Sequence, residues 1–115
     1  MVPGHARTSA LRKGTLEFCV LALLSSGERY GVELVRALAD VDGMEITEGT
    51  LYPLLSRLRR DGQVTTSWQE SPSGPPRRYY GLSNVGRQAL HEFRDEWIRY
   101  RDAVDKLLGT AGAAS

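Results

Sequence analysis

One segment, residues 47–62, constrains the fold of this 115-residue chain more than any other. Its leucines recur at the i, i+3, i+4, i+7 spacing of a helix face that packs on a core: Leu51, Leu54, Leu55 and Leu58. Thr47 is a good N-cap and Gly62 a good helix stop, while Pro53 removes one backbone donor inside the helix. The segment therefore predicts a short amphipathic helix. Its free face carries polar and basic side chains: Tyr52, Ser56, Arg57 and Arg60.

The positive charge of the chain is clustered rather than large. The formal net charge is only +1, and the 41% hydrophobic and 25% charged residues are ordinary for one globular domain. Near the predicted helix and the hairpin after it, only Asp61 and Glu70 oppose five arginines: Arg57, Arg59, Arg60, Arg77 and Arg78. A local cluster of this kind is what binding to nucleic acid requires.

The sequence lacks the residues that several classes of function require. Cys19 is the only cysteine, so we expect no internal disulfide and an inert, buried thiol in a reducing cytoplasm. His5 and His91 have no partner at a metal-ligand spacing, and neither a glycine-rich phosphate loop nor a nucleophile–base–acid set occurs. No segment is apolar over the roughly 20 residues of a membrane span, and the N-terminus lacks the apolar core of a signal peptide. The sequence therefore predicts a cytoplasmic protein that is not an enzyme and has no cofactor, metal or membrane partner.

The elements around residues 47–62 occur in an informative order. Two apolar helices are predicted before this segment, over residues 11–24 and 30–39. Two strands, Val64–Gln69 and Arg77–Leu82, are predicted after it, joined by a turn cluster at Ser71–Pro76. This order is typical of a winged helix-turn-helix, in which the third helix enters the major groove of DNA and the hairpin is the wing.

A long final helix is predicted over residues 84–108, with Ser83 as its N-cap. Its apolar residues step by three and four, the heptad pattern of helices that pack between chains: Leu90, Phe93, Trp97, Tyr100, Val104 and Leu107. We call these residues the seam. The predicted fold class is mainly α with a small β-hairpin. The predicted domains are a flexible arm (1–10), a winged helix-turn-helix (11–83), a dimerisation helix (84–108) and a flexible tail (109–115).

Five short stretches narrow this interpretation: Leu16–Leu24, Tyr30–Leu34, Gly49–Leu55, Leu58–Gly62 and Arg77–Ser83. Together they resemble the PadR family of bacterial transcriptional regulators over roughly residues 11–108, and the single long final helix is similar to the short subfamily. The resemblance implies a homodimer that binds a pseudo-palindromic operator in double-stranded DNA and usually represses transcription. The chain departs from the family pattern in the wing tip, at Pro75 and Pro76, and also at Gly81 and Val32.

The candidate DNA contacts lie on the third helix and the wing. Arginine binds guanine bidentately or neutralises phosphate, and hydroxyl groups donate to phosphate. These chemistries point to Tyr52, Ser56, Arg57, Arg60, Arg77, Arg78 and Tyr79. Thr47 and Thr50 join the set at the helix N-terminus, where helix capping is an equal alternative. The alternative for the whole set is an ordinary solvated surface.

Strand alternation separates the residues of the wing. It directs Arg77 and Arg78 to opposite faces, so that either one can meet DNA or an acid. Tyr80 is expected in the core and Tyr79 at the surface. Trp68 is expected to pack against the wing or the third helix.

The seam and the function each have a second interpretation. Trp97 is most simply an anchor of a homodimer interface. Some short PadR-like regulators hold a flat aromatic effector between their subunits against a tryptophan on this helix. The resemblance thus also implies such a small molecule against Trp97, with Phe93 beside it. The functional alternative to DNA binding is a winged-helix module that binds a protein partner, which the near-neutral net charge favours.

Overall fold

The computed structural model describes residues 9–109, which form a helical body and one small sheet. In chain order the elements are α1 (Leu16–Leu24), β1 (Arg29–Tyr30), α2 (Gly31–Ala39), α3 (Glu48–Arg60), β2 (Val64–Ser71), β3 (Gly74–Leu82) and α4 (Asn84–Leu108). The strands are antiparallel in the order β1-β3-β2. The predicted class, mainly α with a small hairpin, is confirmed, and β1 adds a third strand. Most of the predicted arm and tail, residues 1–8 and 110–115, lies outside the described residues.

The first predicted helix is interrupted near its start. Residues 9–12 are helical, residues 13–15 form a turn, and α1 begins only at Leu16. Gly14 has a φ of 84°, a conformation that glycine adopts at little cost. Arg12 reaches the loop before α3 and donates to the carbonyl oxygens of Gly43 (2.9 Å) and Glu45 (3.0 Å). One continuous helix over residues 11–24 was therefore a wrong prediction, and residues 9 and 10 belong to this helical turn rather than to an arm.

The core lies between α1, α2, α3 and the inner face of the sheet, with one contribution from α4. Its buried side chains are Val20, Leu21, Leu24, Leu34, Leu38, Leu51, Leu55, Leu58, Val64, Tyr80 and Leu90. The leucine stripe predicted for α3 is the part of that helix that is buried, with Leu54 at its edge. Because burial of the stripe fixes the rotation of α3, the opposite face of the same helix lies at the surface.

Both ends of α3 follow the prediction. The Thr47 side chain accepts a hydrogen bond from the backbone N–H of Thr50 at 3.2 Å, as an N-cap does. At the other end Gly62 has a φ of 74°, and the N–H of Gln63 donates to the carbonyl of Leu58 at 2.9 Å, which is a Schellman ending. The helix continues through Pro53, which has no N–H for the helical bond to residue 49.

The hairpin turn is tighter than predicted. Ser71 pairs with Gly74, so the turn itself is only Pro72 and Ser73, and Pro75 and Pro76 belong to β3. Prolines are tolerated there because β1 pairs only with Tyr79 and Tyr80, leaving the outer edge of β3 unpaired beside them. Two-residue β1 is too short to show a strand periodicity, which is why the sequence did not predict it.

The final helix is anchored at its start and extends away from the body. The Ser83 hydroxyl accepts from the N–H of Gly86 (3.0 Å) and donates to the carbonyl of Gly62, so the cap also ties α4 to the end of α3. The 25 residues of α4 span about 37 Å. Only Gly86 and Leu90 of this helix are buried. Within residues 9–109, no helix is both long and apolar enough to cross a membrane.

Candidate nucleic-acid interface

The exposed face of α3 carries the residues that the sequence predicted for it. Tyr52, Ser56, Arg57 and Arg60 are all exposed, whereas Leu51, Leu55 and Leu58 on the other face are fully buried. Burial raises the pKa of the Tyr52 hydroxyl, and the charges of Glu48 and Tyr80 raise it further. This hydroxyl therefore stays protonated at neutral pH and is able to donate a hydrogen bond.

The arginines of α3 differ in what they contact. Arg57 forms ion pairs with Glu17 of α1 at 3.2 Å and with Asp61 at 3.8 Å. Arg60 has no hydrogen bond or ion pair from its side chain to any residue between 9 and 109. Arg59 and Arg60 line a shallow groove of about 290 Å³ against the wing, together with Ser56 and Arg78. Of the two predicted arginines on α3, Arg60 is therefore better placed to bind DNA, because binding through Arg57 must compete with two carboxylates.

The two arginines of the wing lie against different aromatic rings. The guanidinium carbon of Arg77 lies 4.6 Å from the centre of the Tyr30 ring, and that of Arg78 lies 5.9 Å from the Trp68 ring. Arg78 also donates to the Thr66 hydroxyl at 3.4 Å. The two arginines thus contact different rings from successive positions of β3, although both line one groove, and stacking holds each cation without neutralising it.

The aromatic residues of the wing divide into core and surface. Tyr80 is buried, as predicted. Tyr79 is only half-buried and packs edge-on against Tyr30 at 5.5 Å between ring centres, so less of it is available to DNA than we expected. Trp68 lies against Arg78 of the wing, in line with the expectation, but it stays 69% exposed rather than buried. Trp68 lies on the same side of β2 as the buried Val64, but four residues further along the hairpin, where its cross-strand neighbour is Arg78 rather than a core residue.

Thr47 is the N-cap of α3, and Thr50 is the residue whose backbone N–H it caps. Thr47 donates to the Thr50 hydroxyl at 3.3 Å in addition to accepting from the Thr50 N–H. Both residues remain exposed, so the capping interpretation and the DNA interpretation are compatible.

The seam on α4 is part core and part open surface. Leu90 is 4% exposed and belongs to the chain's own core, so it has little surface left for a partner, contrary to the prediction. Phe93 stacks on Phe18 of α1 with ring centres 3.9 Å apart. The later residues are open in the single chain: Trp97 (40% exposed), Tyr100 (66%), Val104 (half-buried) and Leu107 (87%). An apolar face of this size on a helix that leaves the body is typical of a contact surface between chains.

Two other predictions concern single side chains. Cys19 is half-buried on α1, and burial raises the pKa of its thiol, as the interpretation of an inert side chain requires. Between residues 9 and 109 the structure holds no group of three or more His, Cys, Asp or Glu side chains that could bind a metal ion.

The sequence did not single out Arg36 or Tyr30. Arg36 lies on the exposed side of α2, and Tyr30 ends β1 beside the wing, and both face the wing arginines across a groove. The sequence held one signal for this region, the glycine that follows Tyr30. In the structure a Cβ at Gly31 would collide with the ring of Tyr52. A glycine where two elements approach closely marks the contact between α2 and α3.

Three helices that bury a common core, followed by a two-stranded wing that flanks the exposed face of α3, define a winged-helix protein. The sequence profile of the transcriptional regulator PadR-like family matches residues 20–92. The chain therefore belongs to the PadR-like family, whose members are DNA-binding transcriptional regulators rather than enzymes.

Individual relatives agree with this assignment. A PadR family transcriptional regulator from Eggerthella lenta is 39% identical, with a TM-score of 0.80 and coverage of 91% of each chain. A PadR-like transcriptional regulator from Bacillus cereus is 34% identical, with a TM-score of 0.79 over 86% of this chain and 96% of that one. A transcriptional regulator of Mycobacterium tuberculosis is 34% identical over 83 residues, which are 72% of this chain and 76% of that protein.

Proposed function

We propose that this chain is a homodimeric repressor that binds a pseudo-palindromic operator and acts in the bacterial cytoplasm. The observation that carries the proposal is the exposed face of α3, with Arg60 unpaired among residues 9–109 and the wing arginines beside it. In this arrangement α3 enters the major groove and β2–β3 reaches the neighbouring backbone or minor groove. Thr47, Thr50, Tyr52, Ser56 and Arg57 complete the surface on α3, and Arg77, Arg78 and Tyr79 the surface on the wing.

The open part of the seam supports the proposed dimer. The single chain leaves three large apolar side chains of α4 exposed to water: Trp97, Tyr100 and Leu107. Exposed apolar surface of this kind marks a contact with another molecule. Packing against a second copy removes these side chains from water and brings two copies of α3 to two half-sites of a two-fold operator.

We also propose that the seam binds a small-molecule effector. A wide cavity of about 820 Å³ lies between α4 and the turn before α1, lined by Phe93, Trp97, Tyr100 and Val104 among others. Phe93 and Trp97 are nearly parallel, 18° apart with ring centres separated by 6.2 Å, so a flat aromatic compound would find two rings already aligned. Binding there would change the separation of the two α3 helices and thereby the affinity for the operator.

The first test is a gel shift on duplex DNA from upstream of the chain's own gene. Arg60→Ala should weaken binding to the specific fragment by about 1–3 kcal/mol, because a bidentate base contact or a phosphate contact is lost. Arg99→Ala is the matched control, since it removes the same charge from an exposed position on α4. Equal affinities of the Arg60→Ala variant and this control would remove Arg60 from the interface.

The rival function is a winged-helix module that binds a protein, and the net charge of +1 is the observation that favours it. The dependence of DNA affinity on salt concentration distinguishes the two functions. Affinity for the duplex that falls steeply as salt rises reports released counterions and supports DNA binding. Absence of DNA binding at every salt concentration would favour the protein partner.

A further inference from the structure

A second groove shares Arg78 and Tyr80 with the one beside Ser56 and Arg60. It is open, has a volume of about 480 Å³, and runs between α2, the start of α3 and the wing. The side chains that matter here are Tyr30, Arg36, Tyr52, Trp68, Arg77 and Arg78. We call it the α2–wing groove.

The α2–wing groove is strongly basic. Three arginines line it, and no Asp or Glu of residues 9–109 does. The nearby Glu33 of α2 does not line the groove, and its carboxylate accepts from the backbone N–H of Tyr30 at 3.1 Å as part of a helix cap. The side chain of Arg36 is exposed and has neither a hydrogen bond nor an ion pair with any residue from 9 to 109. An anion in this groove therefore meets unneutralised positive charge.

The walls of the groove are aromatic. Trp68 contributes nothing to the core, and its indole is held in place at the rim by the guanidinium of Arg78. Tyr30 and Tyr52 form the opposite side, and Tyr52 is fixed by its close packing over Gly31. Flat aromatic faces next to arginines that form no ion pair with residues 9–109 suit a ligand in which sugar rings alternate with phosphates.

The position of the groove relative to α3 and the wing identifies that ligand. Tyr52 belongs to the helix that the proposed function assigns to the major groove, and Arg77 belongs to the wing assigned to the adjacent minor groove or backbone. In a duplex these two grooves are separated by one sugar–phosphate strand. That strand has to cross the protein between α3 and the wing, which is where the α2–wing groove opens.

We propose that the α2–wing groove binds one DNA sugar–phosphate strand, with Arg36 as a phosphate ligand and Trp68 packed on deoxyribose. The inference rests on the proposed function and adds two residues to it, neither of which lies on α3. A contact of this kind sets the register of the protein on the duplex and carries no base specificity.

The experiment measures the affinity of the full chain for the upstream duplex and for a scrambled duplex of the same length, across a salt series. In Arg36→Ala the slope of log affinity against log salt should fall in magnitude by about 0.9, the value for one phosphate contact. The loss should be the same on both duplexes, and Arg36→Lys should restore the slope. Arg99→Ala, with the same net charge as Arg36→Ala, should keep the wild-type slope.

Trp68 gives an independent readout. Because its side chain is exposed, Trp68→Ala should leave the free energy of unfolding nearly unchanged while weakening binding to both duplexes several-fold. Trp68→Phe keeps an aromatic face and should bind close to wild type. Trp68→Ala with wild-type affinity would contradict the packing of deoxyribose on this side chain.

The outcomes separate the inference from the proposed function. If the wild type binds DNA and Arg36→Ala keeps the slope of the wild type, the α2–wing groove takes no phosphate and the repressor proposal stands. If the wild type binds neither duplex at any salt concentration, both proposals are overturned.

Discussion

At the scale of single residues, the interface depends on which charged and aromatic side chains are already engaged. Arg57 and Arg60 are three positions apart on α3, yet Arg57 is paired with Glu17 and Asp61 whereas Arg60 is not paired within residues 9–109. The sequence could place both arginines on the exposed face because helical periodicity fixes the direction in which each side chain leaves the helix. It could not reveal the pair with Glu17, which lies 40 residues away in the chain.

Removing the carboxylate that holds Arg57 should change DNA binding more than stability. Both members of the Arg57–Glu17 pair are partly exposed, so Glu17→Gln should alter the free energy of unfolding by only about 0–1 kcal/mol. The same change leaves Asp61 as the remaining ion-pair partner of Arg57 among residues 9–109 and should raise the affinity for duplex DNA, as measured by fluorescence anisotropy. Adding Arg57→Ala should cancel the gain. A gain that survives the double substitution would show that Arg57 is not the group released.

The contact between Gly31 and Tyr52 should behave as a tightly coupled pair. A Cβ at position 31 would overlap the hydroxyl end of Tyr52, so Gly31→Ala should cost about 1–3 kcal/mol of unfolding free energy in urea denaturation. In a Tyr52→Ala background the overlap is gone and the same substitution should cost much less. Additive effects of the two substitutions would contradict the contact.

At the scale of elements, the sequence predicted what periodicity and capping determine. The leucine stripe of α3, its cap at Thr47 and its stop at Gly62 are all present, because each is a local rule of the backbone. The length of the wing turn was predicted wrongly, and the break before α1 was not predicted. Their geometry depends on strand pairing at Ser71 and on the reach of Arg12 to Gly43, which are contacts between distant parts of the chain.

The contribution of the Thr47 cap to the stability of α3 can be measured. Thr47→Ala leaves the N–H of Thr50 without its side-chain acceptor and should cost about 1 kcal/mol of unfolding free energy in urea denaturation. Thr47→Ser keeps the hydroxyl and should stay close to wild type. A loss that is equally large in the serine variant would mean that the methyl group, rather than the cap, is what matters.

At the scale of the whole molecule, α4 connects the proposed dimer to the proposed DNA surface. Phe93 stacks on Phe18 of α1, and the next helical turn presents the half-open Trp97. Glu17, adjacent to Phe18, reaches Arg57 of α3. The same short helix α1 thus contacts both the seam and the helix proposed to read DNA.

The dimer itself is tested by sedimentation. Trp97→Asp places a carboxylate in the apolar face and should convert the dimer to monomers, because an unpaired charge would be buried at the interface. His91→Asp adds the same group to an exposed position on the opposite side of α4 and should remain a dimer. A Trp97→Asp variant that sediments as a dimer would show that the interface lies elsewhere.

The exposed face of α3 and the wing together form the proposed surface for specific DNA binding. The most direct measurement is fluorescence anisotropy of the wild-type chain with its upstream duplex and with a scrambled duplex, over a range of salt concentrations. We expect the upstream duplex to bind at least about 10³-fold more tightly, and both affinities to fall linearly on a log–log plot against salt. Equal affinities for the two duplexes, or no binding at low salt, would contradict the account.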